Sequence, residues 1–246
     1  VQIPVRIVLV ETSHPGNIGA SARAMKTMGL TELVLVRPRA AFPSPEATAR
    51  AAGADEILAS ARVTDSLDDA IAECRFVAGA SARLRSIAVP IVNPRDCAAQ
   101  IWRYVPESRA AILFGNEQSG LTNDELARCR QLVHIPTNPE YSSLNLAMSV
   151  QVLCYELRMC AASLPVPAGP VSDSLPATAS ELEGLHEHLE RLLTESGFLH
   201  PEHQKQVKLK LRRIFQRATL DQNEVSILRG MLSSLGPAKR YTKSPS

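Results

Sequence analysis

The sequence predicts an α/β fold: a parallel sheet with helices on both faces, followed by a small helical extension. Three observations carry this. Short apolar runs alternate with amphipathic segments through residues 1–163. Prolines at 165, 167, 170 and 176, with Gly169 among Ser and Ala, then make 164–178 a linker that cannot continue a helix. Beyond it, in 179–246, only helical periodicity remains. The first apolar run, 5–10, lacks polar alternation, as a strand covered on both faces should. A helical pattern over 18–28 comes next, stopped by Gly29, which tolerates the left-handed C-terminal conformation. The runs 33–36, 76–80, 110–115 and 132–135 read as further buried strands. Helical patterns fill 67–74, 94–104 and 122–129, the last opening on Thr122-Asn123-Asp124-Glu125, a capping box. A long apolar-periodic run begins at Leu144. After the linker, helices are expected over 179–196, 204–220 and near 223–235, with Val207, Leu211, Ile214, Phe215 and Ala218 lining one face of the middle one. Repeated strand–helix units argue for the parallel sheet.

A chain of 246 residues can bury a full core, and 45% hydrophobic with 21% charged residues is ordinary for a soluble protein. No apolar run approaches a membrane span, and the N-terminus lacks a signal-peptide layout. Five cysteines (74, 97, 129, 154 and 160) without a Cys-x-x-Cys pair argue against a disulfide framework or structural zinc and for a reducing cytoplasm. His186-Glu187-His188 reads as a solvated helix face, and no metal is expected. Net charge is +2, balanced over 1–163 at sixteen basic against sixteen acidic residues. Residues 203–217 instead hold Lys205, Lys208, Lys210, Arg212, Arg213 and Arg217 with no acid among them. Like charges without counter-charge repel unless occupied, so this stripe points to nucleic-acid phosphates, with a solvated face as the plain alternative.

Three polar loops are candidates for chemistry. Residues 138–146, Asn-Pro-Glu-Tyr-Ser-Ser-Leu-Asn-Leu, join a strand to a helix, where free helix amides face a ligand; Ser and Asn there also serve as caps. The second loop, 114–122, is bracketed by Gly115 and Gly120. It comes within one residue of a P-loop, but Leu121 stands where the phosphate-binding lysine belongs. With no Gly-x-Gly-x-x-Gly either, the ligand expected is nucleoside-sized, without a phosphate chain, read by backbone amides and one carboxylate. The third loop, 11–23, places Asn17 and Arg23 on one side of the first helix. Small residues at 19–22 let that helix approach another backbone. Arg23 is either an ion-pair partner or a phosphate ligand.

In this order, Asn17 and Arg23, then Phe114-Gly115-x-Glu117-x-x-Gly120-Leu121, then Ser142-Ser143-Leu144-Asn145-Leu146 resemble the three motifs of SPOUT RNA 2′-O-methyltransferases. The likeness is greatest to the TrmJ-type tRNA (cytidine/uridine-32-2′-O)-methyltransferases. Segments 6–14, 22–30, Ser81-Ala82-Arg83, 138–145, the linker and the basic tail extend it nearly end to end. One departure is Asn116, where relatives often carry a basic residue.

The resemblance implies a trefoil-knotted α/β domain that forms a homodimer, each pocket being completed across the interface. Leu146, Val150 and Leu153 belong either to that contact or to the monomer's own core. It implies S-adenosyl-L-methionine as methyl donor and a ribose of tRNA, at nucleotide 32, as acceptor. Cofactor contacts fall to Ala80, Ser81, Ala82, Gly115, Glu117, Ile135, Ser142, Ser143 and Leu144. Arg23, Ser143 and Asn145 fall at the reacting centre. A guanidinium stays protonated, so Arg23 suits a phosphate clamp and stabiliser of developing alkoxide charge better than a base. Ser143 and Asn145 orient the hydroxyl or relay its proton. Tyr141 stacks on a base or packs internally. Two rivals stand beside this reading: methylation of a base nitrogen, and a non-catalytic RNA-binding module.

Overall fold

The computed structural model describes residues 3–82, 89–105, 108–163, 174–199 and 204–235. Seven strands, β1 (Val5–Val10), β2 (Leu33–Val36), β3 (Arg62–Thr64), β4 (Cys74–Ala80), β5 (Ile91–Val92), β6 (Arg109–Phe114) and β7 (Gln131–Val133), form one sheet in the order β3-β2-β1-β6-β4-β7-β5. Every pairing is parallel. All six residues of β1 are buried because helices cover both faces. Val5, Ile7 and Leu9 join one core, with Ile18 and Met25 of α1 (Pro15–Met28), Ala47 of α2 (Pro45–Ala51), Ile101 of α5 (Pro94–Ile101) and Val150 of α7 (Leu146–Ser163). Val8 and Val10 face the other core, with Ile71 of α4 (Leu67–Ile71) and Leu126 of α6 (Asn123–Leu126).

Local signals fix several ends as expected. Gly29 closes α1 at φ 83°, its N–H donating to Lys26 and Met25 carbonyls. Thr122 accepts from the Glu125 N–H at 3.2 Å while the Glu125 carboxylate accepts from the Thr122 N–H at 2.8 Å. The small residues of α1 serve close packing: a Cβ on Gly19 would lie 2.0 Å from the Ala47 carbonyl oxygen of α2. Other expectations shift. The helix expected to reach residue 74 stops at Ile71, because Cys74 already pairs with Arg109 in the sheet. The helix expected to reach 104 ends at Ile101, 122–129 holds only the one-turn α6, and β7 ends at Val133. Helices α2 and α3 (Asp55–Ala59) and strands β3 and β5 are not expected from the sequence. All four are short, and β3 and β5 are sheet edges with exposed or half-buried residues, so no apolar period marks them.

Leu146, Val150 and Leu153 lie in the chain's own core, at 8%, 0% and 0% exposure. The apolar side chains that α7 leaves outside are Met148, Tyr155 and Met159.

The extension comprises α8 (Ala179–Glu195), α9 (Gln204–Ala218) and α10 (Gln222–Leu235), around Ala177, Leu185 and Val225. Residues 164–173 of the expected linker lie outside the described residues. The chain from Ser174 onward rests on the sheet domain: the Arg75 guanidinium donates to the Pro176 carbonyl, and the Ser180 N–H donates to the Ala72 carbonyl at 3.2 Å. His186, expected on a solvated face, is 3% exposed and packs edge-on against Phe215. Burial, reinforced by Arg212, pushes its imidazole down to about 4. The expected apolar face of α9 is only partly covered: Phe215 is half-buried, whereas Ile214 and Ala218 are exposed. Among the described residues no helix is long and apolar enough to cross a membrane, and no group of three or more His, Cys, Asp or Glu residues is placed to hold a metal ion. All five cysteines are free thiols; burial pushes Cys97 and Cys154 up to about 12.

Candidate functional site

The adjacent strands β1, β6, β4 and β7 end on the same edge of the sheet, so the loops leaving them converge. Chain direction diverges from β1, toward β2 on one side and β6 on the other, and open α/β sheets bind ligands at such a point. The loops enclose a cleft of about 480 Å³, the size of a small-ligand site. Its walls include all nine residues expected to contact a cofactor, Ala80, Ser81, Ala82, Gly115, Glu117, Ile135, Ser142, Ser143 and Leu144, together with Asn145. Arg23 is not among them. It lies on α1 about 9 Å along the axis from Asn17, exposed, with no side-chain partner among the described residues. Arg83 of the Ser81-Ala82-Arg83 segment lies outside the described residues.

One hydrogen-bonded relay ties the three loops together. The Asn145 side-chain amide donates to Asn17 Oδ1 at 2.9 Å, and the Asn17 side-chain amide donates to Glu117 Oε1 at 2.9 Å. Glu117 Oε2 accepts from the Ser13 N–H at 3.0 Å and its hydroxyl at 2.8 Å. Asn145 also caps α7, its side-chain oxygen accepting from the Ala147 N–H at 2.9 Å. The capping and the site-building readings of this residue therefore both hold. The hydroxyls of Ser142 and Ser143 are exposed, with no partner among the described residues. Glu117 braces the loops with both oxygens engaged by protein donors, a role its spacing alone does not reveal. Sequence reasoning also gives no role to Ser13 or His14. The available signal is Pro15, a residue favoured in a helix's first turn, which leaves 11–14 as loop at the end of β1.

Burial raises the Glu117 carboxyl, but hydrogen bonds from Asn17 and Ser13 outweigh it and hold the group below its ordinary 4.5. A depressed carboxylate contributes stability that is present above the unfolded pKa and drains away as pH falls through the folded one. Glu117→Gln is therefore expected to cost on the order of 1 kcal/mol at pH 7, allowing for solvent screening. Urea unfolding should show that gap narrowing below about pH 4.5.

The second loop is shaped from within. Asn116 is 8% exposed; its amide donates to the Glu11 carbonyl at 2.8 Å and its oxygen accepts from the Gln118 N–H at 2.9 Å. Position 116 is thus held by an amide that shapes the loop.

The basic stripe on α9 has counter-charges that come from other elements. Arg212 forms a two-point ion pair with Glu183 of α8, and its side chain is 14% exposed. Lys208 pairs with Glu190 at 3.2 Å, and Lys205 with Asp124 at 3.5 Å. The expected absence of counter-charge is corrected: acids absent from 203–217 in sequence are present in space. Arg213 is half-buried. Lys210 and Arg217 are exposed, without ion pairs among the described residues.

A family model described as SpoU rRNA Methylase family matches residues 4–155, and one described as tRNA methyltransferase TrmJ, C-terminal domain, matches residues 180–244. The chain is 47% identical over 240 residues to a protein of Yersinia pestis (strain Pestoides F) named tRNA (cytidine/uridine-2'-O-)-methyltransferase TrmJ, covering 96% of this chain and 93% of that one. The fold is similar to the crystal structure of TrmJ from Z. mobilis ZM4, with TM-score 0.85, 36% identity, and coverage of 94% of this chain and 99% of that one. It is also similar to a structure described as giving insights into the 2-OH methylation of C/U34 on tRNA, with TM-score 0.52 and 26% identity, covering 65% of this chain and 97% of that one.

Proposed function

We infer the function from kinship and geometry together: this chain belongs to the SpoU methylase family, with the C-terminal domain of the TrmJ-type enzymes, and is a tRNA 2′-O-methyltransferase. The finer reading is S-adenosylmethionine-dependent methylation of the ribose of nucleotide 32, C or U, in the anticodon loop. The observation that supports it best is one cleft formed by three loops and braced through Glu117, Asn17 and Asn145. Bound there, S-adenosylmethionine would supply a methyl group already activated on a sulfonium, so no metal is called for. The residues fit such a group: hydroxyls at Ser142 and Ser143, main-chain groups along 80–82 and at Gly115, and no lysine among the described lining residues. Ser143 and Asn145 orient the acceptor hydroxyl, and Arg23 stabilises the charge that develops on its oxygen.

Arg23 lies outside its own chain's cleft, which suits a homodimer in which it completes the twin's. The exposed Met148, Tyr155 and Met159 of α7 suit that contact, with the trefoil knot of the resembled fold. Residues 1–163 form the methyltransferase domain, 164–178 the junction and 179–246 the RNA-binding extension, in a cytoplasmic enzyme. Nucleotide 34 is a second reading, favoured by the likeness to the C/U34 structure. That likeness leaves about a third of this chain uncovered, whereas the TrmJ relative matches it nearly end to end.

Mass mapping of unmodified tRNA after incubation with the purified protein and S-adenosylmethionine tests this. One methyl group on the ribose of nucleotide 32 is expected; a methyl at 34, on a base, or nowhere overturns the reading. In the extension, reversing Lys210 and Arg217 to Glu is expected to raise the apparent KM for tRNA. The salt dependence of binding should flatten by about one unit for each phosphate no longer engaged, with kcat and cofactor affinity unchanged. Arg212→Glu is expected instead to lower the melting temperature, since Arg212 ties α9 to α8.

A further inference from the structure

We propose that His14 is a catalytic residue that accepts the proton of the ribose 2′-hydroxyl. This rests on the methyltransferase reading above. His14 sits at the junction of β1 and α1 and lines the cleft with Asn17, Ser143 and Asn145. It is the N-cap of α1, yet its side chain makes no capping hydrogen bond and is exposed. Its position is fixed on both sides. Ser13 is bonded to Glu117 through N–H and hydroxyl, and Asn17 donates its own N–H to the His14 carbonyl at 3.0 Å.

Among the described residues, the other lining groups are poor proton acceptors. Ser, Thr, Asn and Gln side chains do not take up a proton near neutral pH. Glu117, the carboxylate among the described lining residues, has both oxygens engaged, and the hydrogen bonds from Asn17 and Ser13 hold it below the ordinary carboxylate range, which makes it a weak base. Imidazole is the side chain suited to general-base work near pH 7. Among the described residues, the charged groups on the elements packed around this corner are Glu117 from the β6–α6 loop, Glu46 and Arg50 of α2 beside Gly16, and Glu11 paired with Arg37 and Arg39, the Arg39 N–H donating to the Thr12 carbonyl.

The step balances. A neutral ring nitrogen of His14 takes the hydroxyl proton as the 2′-oxygen bonds to the methyl carbon. The carbon–sulfur bond breaks and its electron pair stays on sulfur, leaving a neutral thioether, and the imidazolium later returns its proton to water.

Single-turnover methyl transfer to unmodified tRNA, followed from about pH 5.5 to 9, tests the proposal. The wild type should show an acid limb. His14→Gln should lose that limb and roughly a hundred- to ten-thousandfold in rate. S-adenosylhomocysteine binding by calorimetry should stay within a few fold of wild type, showing an intact pocket. The His14 ring nitrogen resonances, assigned by their loss in His14→Gln, should move when S-adenosylhomocysteine is added. Near-normal rate, a slow variant that keeps the acid limb, or unmoved resonances each overturn the assignment. If the wild type methylates no ribose at all, it is the methyltransferase reading that falls, which the wild-type arm reports separately.

Discussion

Replacing Arg23 by Ala is expected to slow methyl transfer by at least about a hundredfold while leaving cofactor affinity within a few fold of wild type. The size comes from the loss of a charge aimed at a developing oxyanion. Sparing of the cofactor comes from position: Arg23 is exposed on α1 and is absent from the cleft walls of its own chain. Removing it opens no cavity and breaks no ion pair among the described residues, so the melting temperature should hardly move. Arg23→Lys should recover little, because an ammonium cannot reproduce the planar two-point contact of a guanidinium with phosphate. Single-turnover kinetics and calorimetry with S-adenosylhomocysteine separate the two effects. Near-normal turnover in Arg23→Ala would remove Arg23 from the acceptor side.

Much of this site is legible in the sequence because strand ends and helix starts leave strong local marks. Gly29, the Thr122–Glu125 capping box and the unbroken apolar run of β1 each name one structure, and together they place the polar loops at the strand ends. The cleft is then a matter of topology, since β1, β6, β4 and β7 are neighbours. What pattern reading cannot supply is which polar atoms face each other across long separations. Glu117 and Asn17 lie a hundred positions apart, as do Asn116 and the Glu11 carbonyl to within a few residues. Nothing in local period or composition pairs them. The basic stripe on α9 shows the same gap from the other side. Glu183 and Glu190 of α8 neutralise Arg212 and Lys208, and that juxtaposition exists only once the helices pack. For α7, the sequence offers apolar residues on more than one side. Only the fold distinguishes Val150 and Leu153, buried at home, from Met148, Tyr155 and Met159, left outside.

Gly115→Ala is expected to abolish cofactor binding, a loss of at least roughly a hundredfold in affinity on the scale of a site rebuilt by overpacking. The reason is not a clash with the ligand. A Cβ at Gly115 would lie 2.2 Å from both the Gly120 carbonyl carbon and the Leu121 nitrogen, and backbone at that distance cannot yield as a flexible side chain could. The loop must open, and with it the Gly120 N–H bond to the Asn116 carbonyl at 2.8 Å and the placement of Glu117 that braces Asn17. One added methyl group should therefore disturb all three loops, whereas Gly120→Ala, with open space around its Cβ but φ at +67°, should show only backbone strain and a milder loss. Calorimetry with S-adenosylhomocysteine measures both; wild-type affinity in Gly115→Ala would take this loop out of the site. The variant also tests the shared active site. A Gly115→Ala subunit keeps Arg23 but lacks a working cofactor cleft, and an Arg23→Ala subunit keeps the cleft but lacks the arginine. Mixed after subunit exchange, the two inactive proteins should regain methyl transfer if each cleft is completed by its twin. Continued inactivity in verified heterodimers would place Arg23 and the cleft of one chain in the same active site.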